Sequence, residues 1–197
     1  MQEEIRDQLQ YAGEVMAKCA ERLPGDIAAA ARIIFASLRS GGTVAFCGNG
    51  GSASQAQHLA GELVGRFLLE RPAYRGIALT ADTSILTSVG NDYGYTEVFS
   101  RQVEGLLHQG DVLVALSTSG NSENCLRAVD RARELKIKTV GLSGAGGGKL
   151  AGQADHCIVV PSYDTPQIQE AHLAIGHAIC RIVERALAQQ DGSSDEI

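Results

Sequence analysis

"TVAFCGNGGSASQAQHLAGELV", residues 43–64, decides the fold. An apolar run of strand length meets a glycine-rich turn, and the residues after the turn recur at helical spacing. A strand that feeds directly into a helix opens a βαβ unit, and the chain repeats the pattern. "GIALT" (76–80), "VLVALS" (112–117), "TVGLS" (139–143) and "HCIVV" (156–160) are further short apolar runs, separated by segments long enough to be helices. Five strands with helical connections predict an α/β fold, a doubly wound five-stranded parallel sheet flanked by helices. Right-handed crossovers bring the C-terminal ends of such strands to one edge, so the loops there form the expected binding crevice.

Ahead of the sheet, Ile5, Leu9, Ala12, Met16 and Cys19 recur at helical spacing, and a second helical pattern carries Ile27, Ala31, Ile34 and Leu38. A sheet of this size does not need two leading helices to cover it. Part of this extension, about residues 1–40, is therefore expected to pack either into the core or against another subunit. A last helix is expected from about Thr165 to Gln189, and the tail "DGSSDEI" (191–197) is expected to be disordered. With neither an internal linker nor a repeat, residues 1–190 are expected to form one domain.

The chain has 197 residues, 5 cysteines and a formal net charge of −6. That charge, without a Lys/Arg cluster, argues against nucleic acid or an anionic membrane as the main partner. No run of 18 or more apolar residues is present, and the polar start "MQEEIRDQLQ" is unlike a secretory signal, which points to a cytoplasmic protein. The cysteines, odd in number and without C-x-x-C spacing, imply neither a disulfide framework nor a thiolate zinc site.

Two loops at the predicted edge carry chemistry. In "GNGGS", after the first strand, the glycines permit positive φ and close approach of a ligand, while the amides that open the next helix carry partial positive charge. In "STSGNS", after the third strand, Ser117, Thr118, Ser119 and Ser122 offer hydroxyl donors beside another helix start, with Glu123 in its first turn. Either loop alone would be an ordinary turn or a helix cap. Together at one edge they suggest a phosphate held by hydroxyls and amides. Neither a P-loop "GK[ST]" nor the third glycine of a dinucleotide fingerprint is present, so ATP and NAD fit poorly.

His58 and Glu62 lie one turn apart on the helix that follows the first loop. Gln169, His172 and His177 interrupt the apolar pattern of the last helix. Singly, these would be a surface ion pair and core histidines; together they supply acid–base groups or N/O ligands for a divalent ion such as zinc. Gln169 and His177 are about 12 Å apart along an ideal helix axis, so sharing one ion would take long inward reaches, a distorted helix or a neighbouring subunit.

"CGNGGS", "QHLAGELVGRF", "VGNDYG", "GDVLVALSTSGNS", "GGKLAG" and "IQEAHLAIGH", spread over nearly the whole chain, resemble the sugar isomerase (SIS) domain family, and within it the phosphoheptose isomerases. The resemblance implies a flavodoxin-like sheet and a cytoplasmic homotetramer that interconverts sedoheptulose 7-phosphate and D-glycero-D-manno-heptose 7-phosphate, the first step toward the heptose of bacterial glycans. It implies that Asn49, Gly50, Gly51, Ser52, Asn91, Asp92, Ser117, Thr118, Ser119, Ser122, Glu62 and Gln169 bind the sugar phosphate. Glu62 and His177 would be the acid–base pair, and His58, Glu62, Gln169 and His177 the ligands of one zinc ion per subunit. Gly61 departs from the Ala or Glu more usual at that position, a mild difference. Two alternatives stay open: a non-catalytic member that binds a replication initiator, and an isomerase of another sugar phosphate. The first lacks the acid–base side chains at the positions of Glu62 and His177, both of which this chain has.

Overall fold

A computed structural model of the chain describes residues 1–190. Helices α1 (Gln2–Arg22) and α2 (Pro24–Arg39) precede β1 (Val44–Gly48), α3 (Gly51–Val64), β2 (Gly76–Ala78) and α4 (Thr83–Tyr93). A 3-10 turn (Tyr95–Glu97), α5 (Ser100–Leu106), β3 (Val112–Ser117), α6 (Glu123–Glu134), β4 (Lys138–Ser143), α7 (Leu150–Gln153), β5 (His156–Val159) and α8 (Thr165–Gln190) follow. The expected C-terminal tail lies outside the described residues.

All five strands pair in parallel in the order β2-β1-β3-β4-β5. The central strands are covered on both faces, which is why they read as unbroken apolar runs. Alternate residues serve different layers. Val44, Phe46, Val114 and Leu142 meet α1, α2, α3 and α8, whereas Ala45, Cys47, Leu113 and Ala115 meet α5, α6 and α7. The chain leaves β1 for β2 on one side and later returns to β3 on the other, so the strand order reverses between β1 and β3. In an open α/β sheet this reversal is where a crevice opens at the C-terminal ends of the strands. "GNGGS" and "STSGNS" are the loops on either side of it.

The stripe expected on the first helix is buried only at its C-terminal end. Val15 and Cys19 enter the core, while Ile5 and Leu9 remain 55% and 69% exposed. Helix α4 has no buried residue at all, although Ile85, Leu86 and Val89 are half-covered. Among the described residues no helix is long and apolar enough to cross a membrane, and all five cysteines are free thiols.

Candidate active site

The two loops expected to hold phosphate lie at the ends of β1 and β3. Gly50, at φ +55° and ψ −122°, turns the chain from β1 into α3 in a conformation that L side chains rarely adopt. No N-cap side chain bonds to α3 or to α6; the amides of Ser52, Ala53 and Cys125 are taken by Asn49 and Gly50 carbonyls and by Asn124 Oδ1, which leaves those of Gly51, Glu123 and Asn124 at the two helix starts for an anion. In the second loop the Ser117 hydroxyl donates to Ser122 Oγ (2.9 Å), and Ser119 Oγ accepts from the Asn121 amide (3.1 Å). Gly120 packs so tightly on the 144–149 loop that a Cβ there would stand 2.1 Å from the Gly147 carbonyl oxygen. Thr118 is half-buried and Ser119 exposed, while Ser52 and Ser117 are each 3% exposed and sit deeper.

Asn49 and Asn124 join the two loops. Their side-chain amides exchange two hydrogen bonds of 2.8 Å, and Tyr95 Oη donates to Asn49 Oδ1 at 3.2 Å. Sequence reasoning missed Asn124 and Tyr95. Asn124 does leave a trace: it is a polar residue beside Cys125 and Ala128 on the buried face of α6, where helical period calls for an apolar one. Asn91 and Asp92 were expected among the phosphate ligands. They lie exposed at the end of α4, bonded to one another at 2.8 Å, and among the described residues neither is hydrogen-bonded to the loops.

The second half lies farther along α3, where it meets α8. His58 Nε2 is 3.0 Å from Glu62 Oε1 and 2.9 Å from His177 Nε2. Donor atoms of all three residues fall within 4.8 Å of one another. His58 Nε2 carries at most one proton yet faces two groups with lone pairs, an arrangement that a cation satisfies better than a single proton does. The donors are nitrogen and oxygen only. The nearby Cys180 thiol is pushed up to about 12, first by burial and then by the charges of Glu62 and Glu184, so no thiolate competes. Phe67 closes one side, its ring stacked on His177 with centroids 5.5 Å apart.

Gln169 does not join this group within one chain. Its amide packs on Gly51, where a Cβ would come within 2.6 Å of it, and that point is about 10 Å along α3 from His58. The expected set of four ligands therefore divides. His58, Glu62 and His177 converge, and Gln169 stands at the phosphate end, its backbone carbonyl accepting from Gln55 Nε2 at 2.6 Å. His172 is not a site residue either: it is fully buried in α8.

The chain matches the SIS domain family over residues 7–144. It is 56% identical to a phosphoheptose isomerase of Rhodospirillum rubrum, over 95% of this chain and 99% of that protein. It is 52% identical to a phosphoheptose isomerase of Akkermansia muciniphila, over 95% and 98%. A solved structure of phosphoheptose isomerase from Neisseria gonorrhoeae superposes with a TM-score of 0.89 at 38% identity, covering 93% of this chain and 98% of that one.

Proposed function

The chain belongs to the SIS domain family, and we infer that it works as an aldose–ketose isomerase of the phosphoheptose type, interconverting sedoheptulose 7-phosphate and D-glycero-D-manno-heptose 7-phosphate. The observation that carries this reading is the convergence of His177, on α8, with His58 and Glu62, on the helix that springs from the uncapped glycine-rich loop. A substrate held by its phosphate at one end of α3 presents its carbonyl end to Glu62 farther along the same helix and to His177 of α8 beside it. A non-catalytic protein would need no such constellation.

Moving the carbonyl from C2 to C1 removes a proton from one carbon and returns one to its neighbour through an enediol. In this reading the Glu62 carboxylate takes the proton from C1, and His177 moves the proton between the two oxygens. His58, in contact with both, fixes their orientation. Ser119, Ser122 and the first-turn amides of α3 and α6 hold the phosphate, with Asn49, Gly50, Gly51, Ser52, Ser117 and Thr118 shaping the cradle. Asn91, Asp92 and Gln169 complete the proposed substrate contacts. His58, Glu62 and His177 have the donor chemistry for a zinc ion; Gln169, which stands at the Gly51 end of α3 in its own chain, is proposed as a fourth ligand only through a contact between subunits. Bound there, the metal would polarise the sugar carbonyl.

Residues 1–190 are proposed to act as one domain in a homotetramer, a reading supported by the exposed Ile5 and Leu9 of α1 and by the half-covered apolar residues of α4. A cytoplasmic location without nucleic-acid or membrane partners is supported by the five free cysteines and the net charge of −6.

The test is to incubate the protein with a panel of ketose phosphates and identify the aldose phosphates formed. Glu62→Gln should stay folded and lose about 10²-fold or more in kcat, the scale of a lost acid–base group. Near-normal turnover in that variant would sink the assignment of Glu62 as the base.

A further inference from the structure

We propose that Glu184 and Arg71 are positioning residues for this isomerisation, a buried pair that seats Phe67 against His177 and grips the end of α3 just past its acid–base residues. The proposal rests on the isomerase reading above.

Residues 65–71 cross from α3 toward α8 as an irregular strap. Such a strap has backbone amides that no ladder satisfies, and here one carboxylate satisfies three in succession. Glu184 Oε1 accepts from the Phe67 amide at 3.0 Å, and Oε2 from those of Leu68 and Leu69 at 2.9 and 3.1 Å. Arg71 Nε donates to Glu184 Oε1 at 2.8 Å, and the two side chains are 2% and 3% exposed. The remaining guanidinium donors reach backbone carbonyls: Nη2 to Glu62 at 2.8 Å, and Nη1 to Leu63 and Pro72 at 3.0 Å each. Glu62 and Leu63 are in the last turn of α3, whose carbonyls lack amide partners within the helix.

Stability alone is a weak reason for this arrangement, because apolar residues of similar volume often replace a buried ion pair without loss. What the pair adds is direction. Three consecutive amides aimed at one carboxylate leave the strap a single path, and that path lays the Phe67 ring on His177. Glu184 follows His177 by two helical turns, so α8 carries both the imidazole and the anchor. Arg71 extends the anchor to the backbone of Glu62 itself. The 3.0 Å contact of His58 with Glu62 lies within α3, but the 2.9 Å contact that joins His58 to His177 depends on how α3 sits against α8, and the pair holds the two helices at a second point. Burial alone would raise the carboxyl of Glu184; the amides of Leu68, Phe67 and Leu69, and then Arg71, outweigh it and hold it below the usual carboxylate range. The anchor is therefore charged at neutral pH.

The wild-type protein is first assayed on sedoheptulose 7-phosphate; failure there refutes the isomerase reading, whatever the pair does. Arg71→Lys keeps a cation beside Glu184 but cannot reach the three carbonyls, and Phe67→Leu leaves both charges in place. The number of competent sites is counted by calorimetry with sedoheptitol 7-phosphate, which has the phosphate but no carbonyl. For each variant kcat per competent site should fall about tenfold or more, the scale of a small misplacement of reacting groups. KM should stay within about twofold, because the phosphate cradle is at the other end of α3. The double variant should lose no more than the worse single one, since both break the same link. A merely structural role would reduce the number of competent sites and leave kcat per site unchanged. That result, an unchanged kcat in Phe67→Leu, or losses that multiply in the double variant would overturn the proposal.

Discussion

Acidification should weaken this fold before its carboxylates begin to protonate, and His172 is the reason. Its side chain is fully buried in α8, and among the described residues neither ring nitrogen has a partner that meets hydrogen-bond geometry. Burial pulls its pKa down from 6.5 to about 4, with the Ser143 backbone opposing this too weakly to matter. Between those two values the unfolded chain takes up a proton that the native chain refuses. The free energy of unfolding is therefore unaffected at neutral pH, falls as pH drops below about 6.5, and levels off below about 4. At about 1.4 kcal/mol per pH unit, the loss is about 2 kcal/mol at pH 5 and about 3 kcal/mol at pH 4. The lowered carboxyls of Glu97, Asp155 and Glu184 act elsewhere. Their stabilisation is complete above the ordinary carboxylate range and is lost only as pH falls below it. Urea unfolding at one fixed protein concentration, at about pH 7, 6 and 5, measures the slope. His172→Leu removes the titrating group and two unpaired polar atoms at similar volume, so it should be close to neutral at pH 7 and less acid-sensitive by about 2 kcal/mol at pH 5. Equal pH dependence in the two proteins would refute the reasoning.

Two further outcomes follow from the site. Replacing Ser119 and Ser122 with Ala should raise KM for the sugar phosphate by about tenfold or more with the helical signal intact, because these hydroxyls sit in a cradle with no basic side chain in either loop; calorimetry showing unchanged affinity would contradict it. Protein purified without chelator should contain a divalent ion that chelator removes, with activity restored by added zinc; metal content of zero together with indifference to zinc would leave His58, Glu62 and His177 as acid–base groups alone.

The sheet was legible because its central strands are covered on both faces. Residues 112–117 and 139–143 can hardly be anything else in a chain that alternates such runs with helices. The crevice followed from the same pattern, since the two unusual loops end β1 and β3, where the strand order reverses. The stripe of α1 was legible as a helix but not as a surface. Periodicity records which face is apolar and not what covers it, and Ile5 and Leu9 are left bare in the single chain. Spacing also gave warning about Gln169, whose axial distance from His177 is too long for a shared ion without some device to shorten it.

What the sequence hid are the polar pairings between distant elements. Asn49 and Asn124 are 75 residues apart, and Arg71 and Glu184 are 113 apart. A helical period marks an apolar face because many residues repeat it, whereas one buried Asn or Glu makes a single departure from that period and does not name its partner. These departures nonetheless fall where function needs them. Each joins two elements that bring separate parts of the chemistry together: Asn124 ties the two halves of the anion cradle, and Arg71 with Glu184 ties the helix of Glu62 to the helix of His177. Apolar packing such as Leu59 against Gly176 sets the spacing of α3 and α8, but it satisfies none of the backbone donors of the strap between them. A charged group held by directed hydrogen bonds cannot slide without leaving donors unpaired. A polar residue that breaks the period of a buried helix face is thus a rational place to look for the groups that aim an active site.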